Sequence, residues 1–183
     1  MKLTVKDIIT TALFTALMIA GAFIRIPFPF LPVTLQPFIC AFAGMILGPR
    51  LGALSMTVYM LLGLTGVPVF AGGGGLPYIF KPSFGFILGF IAGAYVIGTV
   101  SKKLGKPSFS NNVKALLAGL LAIYTVGILY MLLIMRVYLG NQQAGLLLII
   151  YGNLPYMVKD IVLFLIVAII SRSALPRLQR MHD

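Results

Sequence analysis

Charge is what this chain has least of. Only 9% of its 183 residues are charged, against about 25% in an ordinary soluble domain, and only three are acids: Asp7, Asp160 and Asp183. There is no Trp, one His and one Cys. These scarcities exclude much. His182 stands next to the last residue, so no imidazole is placed for a Ser–His pair, one central acid cannot form an aspartyl dyad, and no Cys/His/carboxylate cluster offers a metal site. Catalysis is disfavoured, and no cofactor or metal is expected. Cys40 has no partner for an internal disulfide and reads as a small packing residue.

What is abundant is apolar surface: 60% hydrophobic residues and a mean hydropathy of +1.07. This composition belongs to an integral membrane protein. At about 20 residues per helical crossing, the length allows about six spans in one membrane domain covering residues 1–183. The first runs over Ile8 to Ala22, with Thr4 as a start one turn earlier, and is read as retained: Lys2 and Lys6 precede it, but no clear small-residue cleavage site follows. The second, Phe38 to Leu47, and the third, from about Leu51 to Leu64, are joined by a tight turn at Gly48-Pro49-Arg50-Leu51-Gly52. The fourth spans Phe84 to Val100 and the fifth Lys114 to Leu139. Gly140 to Asn153 reads as a turn plus a partly apolar stretch, and Met157 to Ile170 as the core of the sixth span.

Two stretches between spans break the apolar pattern. Pro27, Pro29 and Pro32 enforce an extended path from Arg25 to Gln36, and Pro37 suits a first helical turn. Val67 to Ser83 carries four successive glycines, Gly72 to Gly75, with room for a short helix at Leu76 to Phe80. The glycine run serves as a plain loop or lets backbone approach a ligand; no Lys-Ser or Lys-Thr follows, so it is no Walker A loop. Irregular backbone at membrane depth is tolerated only where protein buries it or it lines a polar cavity.

The net charge of +11 comes from 14 Lys and Arg against the three acids. With both termini cytoplasmic, ten of the fourteen fall inside: Lys2, Lys6, Arg50, Lys102, Lys103, Lys106, Lys114, Arg172, Arg177 and Arg180. That asymmetry sets the orientation and removes any need for a nucleic-acid partner. Both irregular stretches are thereby on the outer side.

Asp160 lies inside or at the outer mouth of the sixth span. An acid at a helix centre costs about 2.5–3.5 kcal/mol to insert, so it is rarely idle. It faces a cavity or forms a structural ion pair with Arg25 or Arg136. Its neighbour Lys159 points about 100° away on a helix, so a direct pair is not assured. A small ligand at the outer side would find Asp160 as acceptor, with Arg25, Lys81 and Lys159 as cations. Gln36, Thr34, Ser83 and Asn153 are its neutral partners, and Phe28, Phe30, Tyr78, Phe84 and Tyr156 its apolar walls. On the first span Ala12, Ala16 and Ala20 form a thin stripe, either for packing inside the chain or for docking another membrane subunit.

At these residues the sequence resembles the biotin-specific BioY substrate-binding (S) subunits of energy-coupling-factor (ECF) transporters. The resemblance rests on IRIPFPFLPVTLQ (24–36), LGPRLGALS (47–55), GLTGVPVFAGGGG (63–75), KPSFGFILGF (81–90) and the pair Pro155 and Asp160. It implies an all-α integral membrane protein of six transmembrane helices in the cell membrane, with N and C termini cytoplasmic. It further implies biotin bound beneath the loops after helices one and three, and delivery through a transmembrane coupling subunit and two ATPases. Ala12, Ala16 and Ala20 match the family's docking pattern for that coupling subunit. Many relatives carry Lys three residues after the Asp, where this chain has Leu163 and instead Lys159 before it, and Pro82-Ser83 replaces Pro-Thr. The ureido N–H groups of biotin suit Asp160, and its ureido oxygen suits Gln36, Asn153 or Lys159. The carboxylate suits Arg25, Lys81 or backbone amides around Gly73 and Gly74. The alternatives are an S component for another small vitamin and, from a different class, a membrane scaffold or assembly subunit without its own ligand.

Overall fold

The computed structural model describes residues 3–26, 33–105 and 108–180, with side chains described as far as residue 173. Pro27, Pro29, Pro32, Phe28, Phe30, Lys106 and His182 lie outside the described residues. Helix α1 (Val5–Phe23) begins at a capping box in which the Thr4 side chain accepts from the Asp7 N–H, and Asp7 accepts from the Thr4 N–H. This reciprocal cap satisfies two of the donors left open at a helix start. A two-residue antiparallel pair, β1 (Arg25–Ile26) with β2 (Val33–Thr34), then leads into α2 (Gln36–Leu64).

Helix α2 folds back on itself. Gly48 has φ 76° and ψ −174°, outside helical space and in a region that favours glycine, and Pro49 follows. Two observations fix the reversal. Gln36 Nε2 lies 2.7 Å from the Tyr59 hydroxyl, whereas 23 residues of continuous helix would part them by roughly 35 Å. A Cβ on Gly52 would stand only 3.0 Å from the Ala43 carbonyl oxygen, so the limbs 36–47 and 49–64 pack backbone to backbone.

After α2 come a short 3-10 turn (Leu76–Phe80), α3 (Phe84–Leu104), α4 (Phe109–Leu133) with a π-helical turn (Ile134–Tyr138), and α5 (Leu146–Arg180). Five of these helices are long and apolar enough to cross a membrane. Helix α5 corrects the start of the last span: the expected turn plus partly apolar stretch at Gly140 to Asn153 is helical from Leu146, and the helix continues through Pro155. Its 35 residues reach roughly 50 Å, beyond the ~30 Å hydrocarbon core.

Helix α3 is the centre of the bundle, packed along both α2 and α4. Met18, Cys40, Met56, Tyr59, Ile97, Leu116, Ile123, Phe164 and Val167 are buried in one continuous core. Outward, α5 exposes Leu147, Leu148, Tyr151, Val158 and Val162, and α1 exposes Leu13 and Leu17. Apolar surface of this extent suits lipid contact. Among the buried polar residues, Thr34, Gln36, Asn153 and Asp160 gather around one cavity.

Candidate functional site

A cavity of about 620 Å³, its open mouth included, lies between α2, α3, α4 and α5. Asp160 is 3% exposed. Lys159 Nζ stands 2.6 Å from Asp160 Oδ1 and also donates to the Thr34 carbonyl at 3.0 Å. The 100° divergence of neighbouring helical positions left a direct pair open, and the structure makes one. The long lysine arm bends back across the cavity, anchored at its far end by β2. The weighed partners of Asp160 are placed otherwise: Arg25 is exposed on β1, and Arg136 Nε donates to the Ala144 carbonyl at 2.7 Å. The Tyr124 hydroxyl donates to Asp160 Oδ2 at 2.8 Å. Ion pair and hydrogen bond together allow a carboxylate to stay buried, which it could not do alone.

A second polar string lines the same cavity beside the loops. The Thr34 hydroxyl donates to Gln36 Oε1 at 3.3 Å, Gln36 Nε2 donates to the Tyr59 hydroxyl at 2.7 Å, and that hydroxyl donates to the Val69 carbonyl at 3.2 Å. It ties the chain entering α2 to the chain leaving it. The far wall is apolar, built from Phe86, Ile87 and Phe90 of α3 and Ile123 of α4.

Of the residues anticipated from sequence, Asp160, Lys159, Gln36, Thr34, Tyr78, Ser83, Asn153 and Tyr156 line the cavity. Arg25, Gly73, Gly74 and Phe84 do not. Phe84 is buried behind it against Phe70 and Tyr130. The glycine run makes a tight loop: Gly73 N–H donates to the Phe70 carbonyl at 3.1 Å, and Gly75 N–H to the Gly63 carbonyl at 2.7 Å. The Gly73 amide is therefore committed within its own loop. Lys81 stands at the rim, its Nζ 3.0 Å from the Gly72 carbonyl and 4.7 Å from the centre of the Tyr78 ring. Tyr78 also accepts from the Ser83 hydroxyl at 3.4 Å.

Sequence reasoning missed Tyr124 and Tyr59. Both sit inside apolar runs where a tyrosine reads as packing; the usable signal is that a buried tyrosine hydroxyl needs a partner, and Asp160 and Gln36 were the polar groups available.

Among the described residues no group of three or more His, Cys, Asp or Glu could hold a metal. The chemistry on offer is recognition: one carboxylate, one ammonium, two amides and four phenols around an apolar slot.

The same architecture occurs elsewhere. The chain aligns with a crystal structure of the S-component for biotin from an ECF-type ABC transporter, with a TM-score of 0.80 and 26% identity over 96% of this chain and 95% of that one. A more distant ECF S component (TM-score 0.52, 19% identity) shares the fold. In sequence, this chain is 34% identical to the biotin transporter BioY of Thermotoga maritima, over 91% of its own length and 94% of the relative. It is 35% identical to a probable biotin transporter BioY of Lysinibacillus sphaericus over 90% and 84%, and 37% identical to one of Pyrococcus horikoshii over 86% and 88%. These relatives are transporters rather than enzymes. Residues 1–180 match the BioY family as a whole, and the chain belongs to that family.

Proposed function

We propose that this chain is the biotin-capturing subunit of an ECF-type vitamin uptake transporter in the cell membrane. The observation that carries the reading is the buried Asp160, paired with Lys159 and steadied by Tyr124, at the deep end of a cavity with an apolar wall, in a chain whose relatives are named biotin transporters. Biotin's fused ring fits the slot between Phe86, Phe90 and Tyr156. A ureido N–H donates to Asp160 Oδ1, and Lys159 Nζ donates to the ureido oxygen. Gln36, with one N–H engaged by Tyr59, offers its second. Thr34, Tyr78 and Ser83 border the ring's entrance. The carboxylate points to the mouth, where Lys81 is the nearer cation and Arg25 on β1 the further one; the loop holding Gly73 and Gly74, backed by Phe84, shapes that mouth.

The turn at Gly48 supports counting the limbs of α2 as separate passages, making six, and the distribution of Lys and Arg supports cytoplasmic termini. The chain has no nucleotide-binding motif, so energy comes from partners: a transmembrane coupling subunit and two ATPases. Ala12, Ala16 and Ala20 are exposed on α1, a thin surface on which a helix of the coupling subunit can approach closely.

The test is uptake of labelled biotin by cells that lack their own transporter and express this chain with an ECF coupling module. Uptake competed by unlabelled biotin and lost in Asp160→Asn supports the reading. Uptake competed by another vitamin and not by biotin would overturn it.

A further inference from the structure

The cavity holds two buried acceptors without a hydrogen bond. One is Asp160 Oδ1, which has only its ion pair with Lys159; the other is Asn153 Oδ1. Asn153 is 2% exposed, and its amide cannot turn over: Nδ2 donates to the Ile149 carbonyl at 2.8 Å and faces Met131 Sδ at 3.9 Å. An oxygen in that place would meet a carbonyl oxygen, so the network fixes Oδ1 as the free acceptor. A buried acceptor without a donor is costly, and a ligand that supplies one gains accordingly.

Its height in the cavity is fixed twice. Asn153 and Asp160 are seven residues apart on α5. Their partners on the antiparallel α4, Met131 and Tyr124, are also seven apart. Both helices therefore separate the two acceptors by about 10 Å along the bundle, with Asn153 nearer the N-terminal end of α5. A single urea does not bridge that distance, because acceptors in line with its two N–H groups stand only about 7 Å apart. If the ureido head engages Asp160, Asn153 meets the other end of the ligand. A carboxylate there has nothing to donate, and within the cavity lining the one cation, Lys159, is already paired.

We propose, resting on the biotin reading above, that the site also captures biotin carboxamides, the chemistry of biotin joined through an amide to an amine such as a lysine side chain, and that Asn153 Oδ1 accepts the amide N–H. Free biotin passes its carboxylate beyond Asn153 to the rim cation; an amide uses Asn153 instead. The open mouth leaves room for the attached group.

The test is calorimetric titration of the purified protein in detergent with four probes: biotin, biotin N-methylamide, biotin N,N-dimethylamide and biotin methyl ester. The N-methylamide alone among the uncharged three carries the donor. It is expected to bind about ten-fold tighter than the dimethylamide and the ester, the effect of one hydrogen bond to a buried group. In Asn153→Leu that preference should shrink below about two-fold. Equal binding of the methylamide and the ester by the wild-type protein overturns the proposal without need of any variant, as does a preference that survives in Asn153→Leu. Failure of biotin itself to bind sinks the underlying reading instead.

Discussion

Lys159 and Asp160 are sequence neighbours on one helix, yet their charged groups stand 2.6 Å apart. Side chains at successive helical positions leave the axis about 100° apart, so the contact exists because the lysine arm is long enough to fold back. Its Nζ is held by two groups, the carboxylate and the Thr34 carbonyl of β2. The pair is thus a bridge between α5 and the entry to α2.

Removing the charge of Asp160 while keeping its shape should weaken biotin binding. In Asp160→Asn the charge-assisted bond becomes a neutral one, a loss of roughly 1.5–3 kcal/mol. Affinity unchanged in a folded variant, measured by titration, would mean that the carboxylate does not touch the ligand.

Lys159→Met keeps the aliphatic arm but leaves Asp160 without its ion pair and frees Thr34. Breaking one side of a buried pair is strongly destabilising; since Lys159 is partly exposed, a smaller loss of about 2 kcal/mol is expected, discounted for solvent screening. It should fall mostly on the dissociation rate, read from chase of bound radiolabelled biotin. A dissociation rate equal to wild type would show that the bridge to β2 plays no part in retaining the ligand.

Tyr124→Phe deletes a single hydroxyl and preserves the ring that packs edge-on against Phe86. The fold should persist, and binding should weaken about ten-fold, because Asp160 loses the donor that orients it. A large fall in thermal stability with affinity intact would assign Tyr124 to packing alone.

Gly48→Ala tests the reversal within α2. At φ 76° and ψ −174° a Cβ is strained and would stand 3.1 Å from Lys102 Cε. The expected cost is about 1–3 kcal/mol of stability, read as a lower unfolding midpoint in detergent with little change in affinity for the fraction that folds. An unchanged midpoint would place the turn elsewhere.

Much of the membrane architecture was legible because a bilayer demands long apolar runs, and the Gly48-Pro49 turn was legible because only glycine tolerates that conformation. Helix α5 was less so: Gly140 to Asn153 read as a turn plus a partly apolar stretch, whereas the helix begins at Leu146 and carries Pro155 inside it. The lining of the candidate cavity was legible wherever a polar residue stood out against apolar neighbours, as Asp160, Lys159 and Gln36 do. It was hidden where the polar atom belongs to a residue common in apolar runs, as with Tyr59 and Tyr124. The glycine run drew attention for its backbone amides, but Gly73 spends its N–H on Phe70, a pairing that depends on loop geometry no composition reveals.

The most direct measurement is a calorimetric or radiolabel titration of biotin into the purified, detergent-solubilised chain without its partners; with no Trp in the sequence, intrinsic tryptophan fluorescence offers no signal. Tight, saturable binding near one ligand per chain, weakened in Asp160→Asn, is the predicted result. A monodisperse, folded sample that binds no biotin would contradict the account at its centre.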